Sequence, residues 1–299
     1  MTLRPTQGHP EPGRGVSSRS ELLSIIVPVY NEVRTVRAVI DRLLAIDLPV
    51  PREILVVDDG STDGTRDVLA TLGNRESGFG IRDSGVGSQK SGVENTGFSD
   101  SSPESRIPNP DSRLIVIHAE RNAGKGAAIR LGLNLAHGTI VAIQDADLEL
   151  DPQQIAALVS PIVRGDADVV YGSRFLAGRP PAPWITIAAN RVLTGVTNLL
   201  FGGSLTDMET CYKIMRADVA RSLKLDANRF DIEPQITARL LRAGHRIHEL
   251  PVRFDPRSRA QGKKIGWRDG VRAVQVLFAE RFRPTGVSPK TQNPKPKSQ

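Results

Sequence analysis

A single cysteine, Cys211, is all the thiol chemistry in this 299-residue chain. An internal disulfide is excluded, and with it the small stapled scaffolds of oxidising compartments. Aromatic residues are only 4% of the sequence, and none form the strand pattern that stacks RNA bases; a helix-turn-helix signal is missing as well. Long apolar runs are also absent. The best candidate, 185–201, is interrupted by Asn190, Arg191 and Asn198, so it lacks the roughly 18 to 20 apolar residues a helix needs to span a bilayer. No charged start followed by an apolar stretch suggests a secretory signal. The expectation is a cytoplasmic protein whose membrane contact is peripheral. Gly-x-Gly-x-x-Gly and Gly-x-x-x-x-Gly-Lys-Ser/Thr are both missing, which argues against a dinucleotide oxidoreductase and a P-loop NTPase.

What the chain has in excess is positive charge, 40 Lys and Arg against 33 Asp and Glu, a formal net charge of +7. Three Arg face one Glu in residues 1–20, and three Lys stand alone in 284–299. The densest block is 253–283, with nine basic residues against three acidic ones. Such a block calls for a polyanionic partner or surface. Composition alone fits phospholipid, phosphate ligand or RNA, and without RNA-binding signatures the expectation is no nucleic acid.

Residues 1–20, 73–112 and 284–299 are rich in Gly, Ser, Pro or Asn and read as a disordered tail, a disordered insertion and a second, basic tail. Between them lies one domain, 21–283. Its apolar runs Leu22 to Tyr30, Glu53 to Val57, Arg113 to His118, Thr139 to Gln144 and Asp168 to Tyr171 lack strict alternation and read as buried strands. Helical spacing fills the gaps, at Val33 to Leu44, Ala127 to Leu135 and Ile155 to Val163. Strand and helix in turn predict a Rossmann-like, mostly parallel α/β sheet flanked by helices, with ligands at the carboxyl ends of its strands.

Those ends are rich in carboxylates. Pro28-Val29-Tyr30-Asn31-Glu32 closes the first strand, Asp58-Asp59-Gly60-Ser61 the second and Asp145-Ala146-Asp147-Leu148-Glu149 the fourth. Glu32, Asp58, Asp59, Asp145 and Asp147 would converge on one edge, where repulsion is costly without a cation. Hard oxygen ligands suit Mg²⁺ or Mn²⁺, which keep coordination positions for a diphosphate. The bland alternative for 58–61 is a turn with an N-cap.

These motifs, with Asn122-Ala123-Gly124-Lys125-Gly126 between them, resemble the inverting family 2 glycosyltransferases of GT-A fold. Gly172-Ser173-Arg174-Phe175, Thr206-Asp207-Met208-Glu209-Thr210-Cys211-Tyr212-Lys213 and Gly262-Lys263-Lys264-Ile265-Gly266 further resemble the dolichyl- and polyprenyl-phosphate mannose or glucose synthases. The likeness covers about 22–72 and 113–282. It implies a nucleotide-sugar donor, UDP-glucose or GDP-mannose, held by Pro28, Tyr30, Glu32, Asp58, Asp59, Lys125 and Asp145. It also implies a metal on Asp145 and Asp147. In the mannosyl enzymes a Gln often stands where this chain has Glu149, a carboxylate that is chemically acceptable as third ligand.

On the acceptor side, Arg174 follows a strand and suits a bidentate grip on phosphate. Arg191 lies in an amphipathic stretch, Trp184 to Phe201, whose apolar residues suit either a lipid interface or a core. Arg257, Lys263 and Lys264 precede a C-terminal amphipathic helix, Trp267 to Phe282, so 256–283 reads as the segment facing a polyprenyl phosphate and an anionic membrane surface. A phosphate acceptor is already an anion and needs no general base. A hydroxyl acceptor needs one, for which Asp207 and Glu209 are candidates; Asp207 could instead orient a substrate. The expected catalytic set is Asp147, Asp207 and Arg174. Alternatives are a soluble glycosyltransferase with a hydroxyl acceptor and a non-catalytic nucleotide-sugar-binding scaffold.

Overall fold

The computed structural model describes residues 21–73, 80–83, 112–257 and 267–284, and every structural statement below concerns these. Ile, Val and Leu runs flanked by turn residues become strands buried on both faces: β1 (Leu23–Val29), β2 (Arg52–Asp58), β4 (Ser112–His118), β5 (Ile140–Ile143) and β6 (Val169–Ser173). The intervening helical patterns become α1 (Val36–Ala45), α2 (Thr65–Gly73), α3 (Lys125–Leu135) and α4 (Ile155–Val163). Beyond them come α5 (Trp184–Phe201), β7 (Lys213–Arg216), α6 (Ala217–Ser222), α7 (Ile232–Arg242), β8 (Ile247–Pro251) and α8 (Trp267–Phe282).

With β3 (Gly80–Asp83) at one edge, the sheet has eight strands in the order β3-β4-β2-β1-β5-β7-β6-β8. All pairings are parallel except those of β7, which runs antiparallel to β5 and β6. The edge strand β3 pairs with β4 through Ile81 and Val116. It corrects part of the expectation of a structureless 73–112 segment. The remainder of that segment, 74–79 and 84–111, and the tails 1–20 and 285–299 lie outside the described residues.

Two features of this topology position the chemistry. From β1 the chain moves to β2 on one side, while β5 lies on the other, so a crevice opens beyond the ends of β1 and β5 at the topological switch point. Because β7 is reversed, it begins at the edge where its neighbours end. Lys213, its first residue, pairs with Tyr171 near the end of β6. Residues 202–212 are thereby delivered to the same edge as 145–149.

The main core lies between the sheet and its helices. A smaller cluster, built from Leu193, Leu205, Met208, Ala238, Ala273 and Leu277, joins α5, α7 and α8. The two amphipathic helices thus split their apolar residues. Leu193 and Leu277 are buried, whereas Trp184, Val192 and Leu199 of α5 are 71%, 63% and 84% exposed, and Val271, Phe278 and Phe282 of α8 are exposed too. Among the described residues no helix is long and apolar enough to cross a membrane.

Candidate active site

The loops leaving β1 and β2 are laced together. Asn31 adopts a left-handed φ of 53°, a conformation asparagine tolerates better than most residues. Its side chain accepts from Thr62 N at 2.8 Å, its own N–H donates to Ser61 Oγ at 2.9 Å, and Glu32 N donates to Thr65 Oγ1 at 2.9 Å. Asp58 is fully buried. It accepts from Ser61 N (3.1 Å) and Arg66 Nε (2.7 Å), and His118 Nδ1 lies 3.1 Å away. Burial alone would raise its carboxyl, but Ser61, His118 and Arg66 together hold it below the ordinary value. Asp59 accepts from Ala123 N at 2.8 Å and Gly124 N at 2.7 Å, and burial pushes its carboxyl up. Gly60, at φ 73°, permits that approach, since a Cβ there would stand 2.6 Å from Asn122 N. Asp58 and Asp59 both make bonds inside the protein, Asp58 with its own turn, Arg66 and His118, and Asp59 with the 122–126 loop. Pro28 and Tyr30 are partly exposed at the β1 exit.

Across the crevice, Asp145 is ion-paired with Lys125 at 2.8 Å. Burial would raise its carboxyl, yet the Lys125 charge holds it below the usual value. Leu148 sits at φ 62°, an unfavourable conformation for a bulky side chain. This turn lets Glu149 N donate to Asp147 Oδ1 at 3.1 Å. Burial, with the charges of Asp145 and Glu149 nearby, pushes Asp147 up to about 7. Into this crowd reaches Arg257. Its Nη1 donates to Glu32 Oε2 at 2.8 Å, its Nη2 to Asp147 Oδ2 at 3.0 Å, and its backbone N to Glu149 Oε1 at 2.9 Å. The structure thus gathers Glu32, Asp147 and Glu149 around one guanidinium, with Asp145 beside them on Lys125.

No three His, Cys, Asp or Glu side chains among the described residues converge as a complete metal site. Mg²⁺ and Mn²⁺ at phosphate-transfer sites use one or two carboxylates and take further ligands from water and substrate phosphates. Asp145 and Asp147, with Glu149 beside them, fit that pattern: they are hard oxygen donors, burial together with the neighbouring carboxylates raises one of them to about 7, and two protein cations stand among them.

The acceptor-side residues are arranged differently from expectation. Asp207 is fully buried and accepts from Arg174 through its backbone N (3.0 Å), Nε (2.7 Å) and Nη2 (2.7 Å). Arg174 also lies over the Phe254 ring, 5.1 Å from its centroid, and exposed Arg191 lies over Phe175 at 5.6 Å. Arg174, Arg191 and Arg257 are thus linked through two phenylalanines and the 254–257 segment, whereas Lys263 and Lys264 lie outside the described residues. Glu209, next along the loop, has its Oε1 buried and without a hydrogen-bond partner among the described residues.

The sequence matches the profile described as "Glycosyl transferase family 2" over residues 24–104 and 104–224. The chain belongs to glycosyl transferase family 2. Relatives of this glycosyltransferase include a dodecaprenyl-phosphate galacturonate synthase of Rhizobium johnstonii, 27% identical over 88% of this chain and 66% of its own length. An undecaprenyl-phosphate mannosyltransferase of Micrococcus luteus is 28% identical over 84% of this chain and 90% of its own length. The chain accordingly spans just under two thirds of the first and most of the second. Among solved structures, the glucosyl-3-phosphoglycerate synthase of Mycobacterium tuberculosis in complex with Mn²⁺, UDP and glucosyl-3-phosphoglycerate superimposes with a TM-score of 0.59 at 17% identity, covering 89% of this chain and 82% of that one. That likeness shows the GT-A fold.

Sequence reasoning about this family 2 glycosyltransferase missed Glu249 and Glu233, the partner of Lys213. Glu249 accepts from Thr206 N at 2.7 Å and Asp207 N at 3.0 Å, fixing the loop that carries the Arg174–Asp207 pair. Lys213 was legible only as the last residue of a motif; its burial follows from the reversal of β7. Glu209 carries a testable consequence. Burial, aided by Glu233 and Asp207 and opposed by Lys213 and Arg174, pushes its carboxyl from 4.5 up to about 7. The folded state then binds a proton that the unfolded state has lost between these values, so this contribution is present below about pH 4.5 and disappears as pH rises through about 7. Glu209→Gln is expected to remove that dependence and to stabilise the protein relative to wild type by about 1–3 kcal/mol at pH 8. Urea unfolding at pH 5 and 8 checks it, and parallel pH profiles for the two proteins would refute it.

Proposed function

We infer that the enzyme transfers a hexose from a nucleotide sugar, UDP-glucose or GDP-mannose, to a polyprenyl phosphate, inverting the anomeric carbon. The observation that carries this reading is the carboxylate group Asp145, Asp147 and Glu149 at the switch point, facing Lys125 and Arg257, in a family 2 chain whose relatives are named as polyprenyl-phosphate sugar transferases. Asp145 and Asp147, with Glu149, would hold Mg²⁺ or Mn²⁺, which when bound supplies positive charge for the departing nucleotide diphosphate. Pro28, Tyr30 and Glu32 line the donor end. Lys125 and Arg257 orient the crowded carboxylates and offer cations to phosphate.

The acceptor side fits a phosphate nucleophile. Asp207 is locked in an ion pair with Arg174 and is not a ready base; Glu209, raised to about 7, is in the range of a general base and is the group a hydroxyl acceptor would call on. A phosphate monoester needs no base: its oxyanion attacks the anomeric carbon in line as the bond to the diphosphate breaks. Arg174, Arg191, Arg257, Lys263 and Lys264 are the cations proposed to hold it. The exposed apolar residues of α5 and α8, beside the basic 256–283 segment, suit a peripheral seat on the cytoplasmic face of an anionic membrane, each nearby cation contributing about 1 kcal/mol.

The test is a transfer assay with purified enzyme, Mg²⁺ or Mn²⁺, radiolabelled UDP- and GDP-sugars and a short polyprenyl phosphate. Label in the organic phase is expected and identifies the donor. Donor hydrolysis with no lipid product would overturn the lipid acceptor in favour of a hydroxyl one, and nucleotide-sugar binding without any turnover would favour a scaffold.

A further inference from the structure

Behind the sheet edge, one carboxylate touches both halves of the site. Glu233 lies in the first turn of α7, its side chain 5% exposed. One oxygen pairs with Lys125 Nζ at 2.9 Å, and Lys125 in turn pairs with Asp145 at 2.8 Å. The other oxygen accepts from Lys213 Nζ. Lys213, fully buried, spends its remaining donors on Met208 O (3.1 Å) and Thr210 O. These carbonyls flank Glu209 in the loop that follows Asp207. The chain Asp145–Lys125–Glu233–Lys213 is balanced, two cations against two anions. Its outer end is a carboxylate placed to change partners and its inner end is the backbone of the acceptor-side loop.

Buried ion pairs contribute little net stability over well-packed apolar residues, so this arrangement calls for another account. A cation arriving on Asp145 competes with Lys125 for the same oxygens. Lys125 can yield only if another anion keeps its ammonium satisfied, and Glu233 is the anion in contact with it. We propose that Glu233 is a positioning residue of the transfer reaction: it draws Lys125 from Asp145 when a divalent cation binds, and through Lys213 it fixes the 208–210 backbone on the acceptor side. The first arm rests on the metal reading of Asp145 given above; the second does not.

The experiment uses the full chain, with Mn²⁺ alone as probe and its binding read from the electron paramagnetic resonance of the free ion. Glu233→Gln is expected to weaken Mn²⁺ binding about tenfold, because Lys125 then has only Asp145. In a Lys125→Met background the same substitution is expected to change Mn²⁺ affinity little. Equal weakening in both backgrounds, or unchanged affinity of a folded Glu233→Gln protein, would overturn the first arm. Hydrogen exchange of the metal-free protein reads the second. Glu233→Gln should speed exchange in 208–212 as well as at the start of α3, and unchanged protection of 208–212 overturns that arm. If wild-type protein binds no Mn²⁺, the metal reading itself fails and exchange alone decides the role of Glu233. If Glu233→Gln does not fold, Glu233→Gln with Lys213→Met removes one charge of each sign from the interior and keeps the Mn²⁺ comparison available.

Discussion

Asp147→Ala is expected to lower transfer about a thousandfold or more while leaving the fold intact, a loss on the scale of removing a principal electrostatic element from an active site. The two halves of this expectation have different origins. Activity falls because, under the proposed function, Asp147 would help hold the cation that the leaving diphosphate needs. Stability survives because Asp147 is an electrostatic burden to the metal-free protein: burial and the adjacent charges of Asp145 and Glu149 already disfavour its ionisation. Its favourable contacts are one bond from Glu149 N and one from Arg257. Arg257 keeps Glu32, and its backbone keeps Glu149, so the guanidinium is not left without an anion. The transfer assay with Mn²⁺, alongside thermal melting without metal, checks both halves. Retained transfer would refute Asp147 as a ligand, and collapse of the fold would show that its bond to Arg257 outweighs the repulsion.

How much of this was legible in the sequence follows the range of the interactions. The parallel strands and their helices were readable because hydrophobic periodicity is local, and so was the turn after β2, where Asp58, Gly60 and Ser61 each satisfy a requirement within four residues. The destinations of the carboxylates were not local. Arg257 meets Glu32 across 225 positions and Asp59 clamps backbone 64 and 65 positions away, and no spacing rule reports such pairs. The edge strand Gly80–Asp83 was hidden by the Gly- and Ser-rich composition around it. The four residues of β7 carry no signal of their direction in the sequence. Its reversal decides that 202–212 reaches the chemical edge and that Lys213 is buried behind it.

Arg174→Ala is expected to destabilise the protein by about 3–5 kcal/mol, the usual cost of stripping one partner from a buried ion pair. Asp207 is 0% exposed and receives two guanidinium bonds of 2.7 Å, one on each oxygen. Without them its charge is left with the backbone N of residue 174 as the one remaining donor named here. Arg174→Lys restores the charge but neither the planar two-point fit nor the stacking over Phe254, and should still cost about 1–3 kcal/mol. Adding Asp207→Asn to Arg174→Ala should recover part of the loss, because the orphaned group is then neutral. The non-additivity measures the coupling of the pair. Urea unfolding of wild type, Arg174→Ala, Arg174→Lys, Asp207→Asn and the double variant supplies these numbers and separates two roles that the sequence could not. If Arg174→Ala stays within about 0.5 kcal/mol of wild type, as an ordinary surface substitution would, yet transfer to polyprenyl phosphate is lost, Arg174 serves the acceptor phosphate rather than Asp207. A large loss of stability, relieved by Asp207→Asn, makes the pair the strut that shapes the acceptor side. Phosphate recognition then falls to Arg191 and the basic residues from Arg257 onward.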